Sequence, residues 1–222
     1  DIAVHSLKDM EWRETNGLET AAFLQRGSRK DILISKYKSI YELPKNAKIG
    51  TSSVRRKAFI LSERPDLNIS MLRGNINTRI NKYNSGKFDG IVIAKAGVDR
   101  LDIKTKYTEF DESIMLPSAG QGAIAVQCRS NNKRILDLIR SLNHEQTKYE
   151  TLAERSFVFN LNGTCSSPIG ASAKISNNTL ELSGALASPD GALITKNNIS
   201  GYYKEAEKLG KDLAIKIINQ MK

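Results

Sequence analysis

The hydrophobic positions of this chain fall into short runs that are separated by turn residues. Continuous apolar stretches such as KDILIS (30–35) and GIVIA (90–94) predict buried β-strands. The stretch AKIGTSSVRRKAFILSE (47–63) predicts a strand, a polar turn and a helix that stops before Pro65. Further strands are predicted at 1–5, 17–26, 67–70, 123–128, 171–176, 179–188 and 192–200, and helices between the middle strands and at 131–142, 146–161 and 202–221.

Strands alternate with helices over the middle of the chain, which predicts an α/β sheet whose ligands bind at the carboxyl ends of the strands. The segment LPSAGQG (116–122) is rich in Pro, Gly and Ser and predicts a hinge-like connection. The last three strands and the last helix predict a separate α+β domain. That helix is predicted to turn one apolar face to the core, with Ala206, Leu209, Leu213, Ile217 and Met221.

The composition is that of a folded protein with an excess of positive charge. The chain has 222 residues, of which 40% are hydrophobic and 26% are charged, enough for one large domain or two to three small ones. No apolar run reaches the roughly 18 residues that span a bilayer. The net charge of +10 calls for an anionic partner. Nucleic acid is one candidate, but aromatic residues are only 6% and no nucleic-acid-binding motif is present.

The two cysteines lie in different sequence contexts. Two cysteines make no disulfide framework, which favours a reducing compartment, although a single structural bridge is the alternative. Cys128 lies in the strand-like run GAIAVQCRS and is predicted to be a small buried hydrophobe. Cys165 lies in NGTCSSPIG (162–170), a run of turn residues that presents the thiol. Two histidines and two separated cysteines have no metal-ligand spacing, so no metal site is predicted.

GTSSVRR (50–56) places hydroxyls and arginines at the start of a helix. Unpaired N–H groups and the helix dipole favour an anion there, so Thr51, Ser52 and Ser53 are candidate ligands of a carboxylate or phosphate. Arg55 and Arg56 in the first turn oppose the dipole unless an anion offsets them. An ordinary serine cap with surface arginines explains this stretch equally well.

Two further stretches carry the same chemistry. LRGNINTR supplies Arg73 and Arg79 after the next strand, and Arg100 follows the strand after that, so a cluster of guanidiniums at one sheet edge is expected. HSLKD (5–9) places Lys8 beside Asp9, a carboxylate that suits stabilisation of a developing cation. A solvent-exposed Lys–Asp turn is the alternative.

Six motifs in order resemble the porphobilinogen deaminase family: AVHSLKD, IGTSSVRR, LRGNINTR, AGVDRL, LPSAGQGAIAVQCR and NGTCSSPIGA. The resemblance runs from residue 1 to about 190. It implies an α/β fold of two periplasmic-binding-protein-like domains linked by hinge strands, plus a C-terminal α+β domain. Residues 1–24 and 121–142 would be the remnant of domain one, 25–120 domain two and 143–222 domain three. We expect the first domain to lack its N-terminal part, and the chain by itself to be inactive.

The resemblance also implies an activity. A transferase of this family joins four porphobilinogen units head to tail, with loss of ammonia, to give hydroxymethylbilane for haem biosynthesis. Asp9 matches the catalytic aspartate, and Cys165 matches the cysteine that holds a dipyrromethane cofactor through a thioether. The matching implies these contacts with cofactor or substrate: Ser6, Lys8, Thr51, Ser52, Ser53, Arg55, Arg56, Arg73, Gly74, Arg79, Arg100 and Gln121.

The resemblance further implies a cytoplasmic monomer that needs no metal, nucleic acid or membrane. Two departures stand out: DMEWRE follows the aspartate where the family usually has an early proline, and Thr164 precedes the cysteine where glycine is frequent.

Two rival functions remain. An anion-binding protein of the solute-receptor type would share the hinge and the arginines, but it has no use for Asp9 or Cys165. A nucleic-acid-binding protein would use the charge alone, and its affinity would fall steeply with salt.

Overall fold

The computed structural model describes residues 1–13, 15–164 and 166–221, which form three β-sheets with helices packed on them. In chain order the strands are β1 (Ile2–Ser6), β2 (Leu18–Phe23), β3 (Asp31–Ser35), β4 (Lys48–Gly50), β5 (Asn68–Ser70), β6 (Gly90–Ala94), β7 (Thr108–Glu109), β8 (Ile124–Arg129), β9 (Ile169–Ser176), β10 (Thr179–Ala187) and β11 (Ile194–Tyr202). The helices are α1 (Val54–Glu63), α2 (Ile76–Asn84), α3 (Lys95–Arg100), α4 (Lys133–Arg140), α5 (Glu145–Asn160) and α6 (Ala206–Gln220), with short 3-10 helices at Leu7–Asp9, Ile40–Glu42 and Tyr203–Glu205.

The middle sheet has five strands in the order β5-β4-β6-β3-β7. β4 is parallel to β5 and β6, while β3 is antiparallel to β6 and β7. Leu33 and Val92 pack into one hydrophobic cluster and Ile32 and Ile93 into another, because successive residues of a strand point to opposite faces. Both faces are covered, which explains the continuous apolar runs in the sequence. The carboxyl ends of β4, β5 and β6 share one edge, as predicted.

Helix α1 begins where the sequence predicts it. The Ser53 side chain accepts a hydrogen bond from the Arg56 backbone N–H at 3.3 Å and so caps the helix. The helix ends at Glu63, two residues before Pro65. The serine therefore does act as an ordinary cap, while the arginines beside it are buried rather than on the surface.

The first sheet has the order β1-β8-β2, with both pairings antiparallel to the central strand β8. Cys128 in β8 is 3% exposed, which confirms its prediction as a buried residue. Two chain segments pass between this sheet and the middle sheet, and Gly27 N–H donates to the Gly122 carbonyl at 3.0 Å where they meet. Gly122 has a φ of +83°, and a Cβ there would lie 2.5 Å from the Ser28 carbonyl oxygen, so the crossing requires glycine.

The third sheet, β11-β10-β9, is antiparallel and is covered by α5 and α6. Phe157 of α5 and Leu213 of α6 pack on Leu180 and Leu182 of β10 in one buried cluster. Of the face predicted for the last helix, Ala206, Leu209, Leu213 and Ile217 are buried. Met221 is 57% exposed because the helix ends at Gln220, so its assignment to the core was wrong.

The mixed α/β architecture with three sheets confirms the predicted fold class. Each sheet falls within one predicted range: 1–24 with 121–142, 25–120, and 143–222. The boundaries themselves stay a prediction. The two-residue strand β7 and the 3-10 helices Leu7–Asp9 and Ile40–Glu42 have no counterpart among the predicted elements, because segments this short have no hydrophobic period to detect. The 3-10 helix Tyr203–Glu205 falls within the helix predicted at 202–221.

Candidate functional site

A cavity of about 450 Å³ lies where the three parts of the chain meet, and its size is in the range typical of small-molecule sites. Its walls come from the turn at 8–13, the start of α1, residues 118–119, the C-terminal half of α5 and the loop at 163–169. Of the predicted site residues, this cavity brings together Lys8, Asp9, Ser53 and Arg55.

The turn with Lys8 and Asp9 is held by its first residue. Leu7 is 1% exposed, and its N–H donates to the Ala123 carbonyl at 3.1 Å, so the 3-10 helix is anchored on the residue just before β8. Asp9 is exposed on the cavity side. Burial and the charge of Arg56 lower the pKa of Lys8 to about 8, against the opposing effect of Asp9.

Arg55 and Arg56 lie behind the turn and share one buried carboxylate. Arg55 Nη2 and Arg56 Nη2 each lie 2.7 Å from an oxygen of Asp31, and the Asp31 side chain is fully buried. Burial by itself would raise the pKa of Asp31, but Arg55, Arg56 and their hydrogen bonds lower it to about 2. Gln121 completes the cluster, since its Nε2 donates to Asp31 Oδ1 at 2.9 Å.

This cluster carries more positive than negative charge. Two guanidiniums face one carboxylate, and Lys8 is close enough for its pKa to be lowered by Arg56. The Nε of Arg55 is buried and has no hydrogen-bond partner among the described residues. Buried polar groups are nearly always paired in native proteins. An anion in the cavity would supply the missing charge, and an oxygen near Arg55 Nε would supply the missing acceptor.

The remaining hydroxyl candidates do not line the cavity. Thr51 is buried, and its Oγ1 accepts a hydrogen bond from Ser53 N–H at 3.2 Å. Ser52 is exposed in the same turn, and Ser6 is exposed at the end of β1. These three side chains are therefore further from the cavity than Ser53.

The other predicted guanidiniums lie outside the cavity lining. Burial and the charge of Arg56 lower the pKa of Arg79, whose Nε donates to the Gly74 carbonyl at 2.7 Å. Arg73 is exposed beside it. Arg100 Nη2 donates to the Gly122 carbonyl at 2.7 Å, in the hinge. Of Arg73, Arg79 and Arg100, none lines the cavity, and the single guanidinium cluster expected at the sheet edge stays a prediction.

Cys165 lies outside the described residues. The residues around it are described, and Thr164 and Ser167 both line the cavity. Thr164 N–H donates to Ser167 Oγ at 3.0 Å, and Ser166 N–H donates to Thr164 Oγ1 at 3.2 Å. The loop predicted to carry the tether therefore borders the cavity that contains Asp9.

Sequence reasoning missed five residues of this region: Asp31, Trp12, Arg13, Arg155 and Phe159. Asp31 looked like the polar first residue of a strand, and nothing local marked it as the counter-ion of Arg55 and Arg56. The last four line the cavity. Trp12 and Arg13 lie in DMEWRE, where the chain departs from the family pattern, and this departure was the available signal. Nothing local distinguished Arg155 and Phe159 from the other residues of the helix predicted at 146–161.

A second buried arginine cluster joins the hinge to α5. Arg26 forms a bidentate pair with Glu154 at 2.8 and 2.9 Å, and Arg29 Nη2 lies 2.7 Å from Glu150. Glu154 also accepts from the Gly120 and Ala173 backbone N–H groups, at 2.8 and 2.9 Å. Two guanidiniums face two carboxylates here, so the cluster needs no further anion.

Comparison with known proteins assigns the family. Residues 1–137 match the family model described as porphobilinogen deaminase, dipyromethane cofactor binding domain, and residues 148–219 match its C-terminal domain. The chain belongs to the porphobilinogen deaminase family. The porphobilinogen deaminase of Buchnera aphidicola is 43% identical over 220 residues, covering 98% of this chain and 70% of that protein. The porphobilinogen deaminase of Thermus thermophilus is 42% identical over 223 residues, covering 99% of this chain and 74% of that protein.

Solved structures resemble the chain more distantly. A periplasmic binding protein of Salmonella typhimurium with high arginine specificity superposes with a TM-score of 0.33 and 16% identity over 57% of this chain and 59% of that one. An arginine-bound substrate-binding protein of Streptococcus pneumoniae superposes with a TM-score of 0.34 and 14% identity, over 62% of this chain and 60% of that one. Likenesses at this level carry no argument about function.

Family membership makes this a transferase of the porphobilinogen deaminase type with dipyrromethane as its cofactor. Within 1–13, 15–164 and 166–221, no group of three or more His, Cys, Asp or Glu residues could hold a metal ion. Of the helices in those ranges, none has the length and apolar composition of a membrane-crossing segment.

Proposed function

We propose that the cavity is where this protein condenses four porphobilinogen units into hydroxymethylbilane. The observation that carries the proposal is the uncompensated positive charge behind the Asp9 turn, next to the loop of Cys165. Porphobilinogen bears an acetate and a propionate, and every addition brings two more carboxylates into the site. A cationic cavity is what such a product requires.

The residues of the cavity fit the dipyrromethane. Its carboxylates match the cationic and hydroxyl groups of Lys8, Ser53 and Arg55, and the buried Nε of Arg55 awaits an acceptor. The thioether to Cys165 would hold the cofactor at the cavity edge. When bound, the dipyrromethane supplies the free pyrrole carbon to which the first substrate unit is joined.

Asp9 is the catalytic residue of this proposal. Its carboxylate is exposed to the cavity from a turn that Leu7 anchors, so it can face the aminomethyl group of the substrate. As ammonia leaves, a cation develops on the substrate, and a fixed carboxylate lowers its free energy. The same carboxylate can accept the proton that is lost when the ring regains aromaticity.

The other predicted contacts form an outer group. Arg56 and Gln121 hold Asp31 and so fix the guanidinium of Arg55, which lines the cavity. Arg73 is exposed beside Arg79, where both can bind carboxylates of a longer chain. We assign the same role to Ser6, Thr51, Ser52, Gly74 and Arg100.

We further propose that the protein acts as a cytoplasmic monomer with no nucleic-acid or membrane partner. The low cysteine content supports the compartment, and the use of the positive charge by the cavity supports the absence of such partners.

A mass spectrum of the protein expressed from its complete gene tests this proposal. We expect an added mass of two condensed porphobilinogen units, located after digestion on the peptide that contains Cys165. A thioether survives dithiothreitol, so the adduct should persist in it. Cys165→Ser should lose both adduct and activity, whereas the matched control Cys128→Ala, buried in β8, should keep both.

Two results would contradict the proposal. One is an unmodified Cys165 in active protein that has been purified with porphobilinogen present. The other is a Cys165→Ser variant that is as active as its parent. Reversible binding of anions without any adduct would instead support the rival solute-receptor function.

A further inference from the structure

Arg155 binds the main chain on both sides of Asp9. This residue is half-buried on α5, and its Nη1 donates to the carbonyls of Leu7 and Met10 at 3.0 and 3.1 Å. Its Nη2 donates to the carbonyl of Glu11. A single side chain therefore contacts three carbonyls within the five-residue stretch that has Asp9 at its centre.

Only a guanidinium can make this set of contacts. Its planar fork presents several N–H donors in fixed directions, while a lysine ammonium is a single point donor on a flexible stem. The Leu7 carbonyl closes the 3-10 turn by accepting the Met10 N–H at 3.2 Å. Arg155 gives that carbonyl a second donor and also binds the carbonyls of Met10 and Glu11, and so holds the 3-10 helix Leu7–Asp9 in one position.

An aromatic stack strengthens the contact. The Arg155 Cζ lies 5.6 Å from the ring centre of Trp12, as in a cation–π pair. Trp12 in turn stacks on Phe159, with ring centres 5.6 Å apart and an angle of 24° between the planes. Phe159 is four residues after Arg155, on the same face of α5. The turn after Asp9 is thus attached to α5 by hydrogen bonds and by ring contacts.

The position of these contacts along α5 links them to the tether. The helix ends at Asn160, five residues before Cys165, so the last turns that hold the Asp9 segment lead directly into the loop with the cysteine. We propose that Arg155 is a positioning residue that fixes the distance between the Asp9 carboxylate and the tethered end of the growing chain, with Trp12 and Phe159 as its support. This inference rests on the function proposed for Asp9.

A positioning role for Arg155 has different kinetic consequences from direct substrate binding by the same residue. A residue that binds a substrate carboxylate equally in ground and transition states raises KM when it is removed. A residue that positions Asp9 lowers kcat instead, because a catalytic group displaced by about 1 Å costs on the order of 100-fold in rate.

The test uses Arg155→Gln and Arg155→Lys in the protein expressed from its complete gene. The matched control is Arg140→Gln, since Arg140 is exposed and pairs with Glu19 away from the cavity. We expect kcat to fall about 10- to 100-fold in both Arg155 variants. KM for porphobilinogen should stay within about threefold of the parent in these variants. Lysine at position 155 should not restore kcat, and the Arg140→Gln control should have the kcat and KM of the parent.

Trp12 provides a second measurement that needs no activity. It is the only tryptophan of the 222 residues. Acrylamide quenching of tryptophan fluorescence in this chain therefore reports directly on the stack. Both Arg155 variants should show faster quenching, and Phe159→Leu, which leaves the hydrogen bonds in place, should show the same with a smaller loss of kcat. Should Arg155→Gln fail to fold, Arg155→Lys and Phe159→Leu still decide the matter.

The outcomes separate this inference from the function on which it rests. Unchanged kcat and unchanged quenching in folded Arg155 variants overturn the positioning role, and so does a raised KM at constant kcat. If Asp9→Asn is fully active, the proposed function of Asp9 fails, while the quenching result still shows whether Arg155 holds the turn.

Discussion

The two buried arginine clusters are built from the same residue types but differ in charge balance. In the hinge cluster, Arg26 and Arg29 face Glu150 and Glu154, so positive and negative charges are equal. In the cavity cluster, Arg55 and Arg56 share Asp31 alone, with Lys8 nearby.

This charge balance marks the hinge cluster as structural and the cavity cluster as an anion-binding one. A buried charge without a partner costs several kcal/mol, so a fold keeps an unbalanced cluster only where something else supplies the counter-charge. Every carboxylate oxygen of Glu154 is used by guanidinium or backbone donors. In the cavity cluster, by contrast, the Arg55 Nε still lacks an acceptor among the described residues.

The largest effects are expected from removing the carboxylates. Glu154→Gln and Asp31→Asn should each lower the free energy of unfolding by about 3–5 kcal/mol, because each leaves buried guanidiniums uncompensated. Citrate, as a polycarboxylate probe, should restore part of the loss in Asp31→Asn only, since only that cluster opens to the cavity. Urea denaturation with and without citrate measures both. Equal rescue of the two variants would mean a general salt effect, and the comparison would fail. Glu19→Gln, on an exposed pair, serves as the control.

Asp9→Asn tests the carboxylate that faces the unbalanced cluster without being buried in it. We expect the fold and the cofactor load to be retained and turnover to fall by about 100-fold or more, because the negative charge is lost where a cation develops. Steady-state kinetics of the complete protein, together with its unfolding midpoint, check this. Turnover within tenfold of the parent would rule out the assigned role.

Arg55→Ala should weaken anion binding more than it weakens the fold. Asp31 keeps Arg56 as its partner, whereas a bound carboxylate loses a charged hydrogen bond worth about 1–3 kcal/mol. The cofactor load by mass spectrometry and the KM for porphobilinogen are the measurements. Normal values for both in this variant would contradict the anion-binding role of the cluster. Arg29→Ala, in the balanced cluster, should weaken the fold more than it weakens anion binding.

The smallest effect is a pH dependence from Lys8, whose pKa is lowered to about 8 chiefly by burial. As pH rises through 8, the side chain loses its charge, so the affinity of the cofactor-free protein for citrate should fall. Stability should change in the opposite direction. Between pH 8 and about 10.5 the unfolded chain binds the proton that the folded chain has lost, and the Lys8 contribution to unfolding free energy therefore rises with pH. Lys8→Met should flatten both profiles, and an unchanged citrate profile in that variant would exclude Lys8 as the cause.

Local patterns in the sequence sufficed for most elements and for the motifs. The apolar runs predicted β3, β6 and the long helices, because burial of a strand or helix face needs only neighbouring residues. The cap at Ser53, the stop before Pro65 and the buried Cys128 follow from the same short-range rules. The order of six motifs indicated the family without any contact being known.

Which charged side chains meet depends on contacts between distant parts of the chain. Asp31 lies 24 residues before Arg55 in the chain, and Arg155 lies 148 residues after Leu7, so no periodicity connects either pair. Met221 was misplaced because a helical pattern does not show where the helix ends. Local sequence was enough for the helices, the strands and the side-chain chemistry that they carry. Chain folding alone brought Asp9 beside α5 and left the Arg55 cluster one anion short, because the energy of buried charges depends on distances that only the packed structure sets.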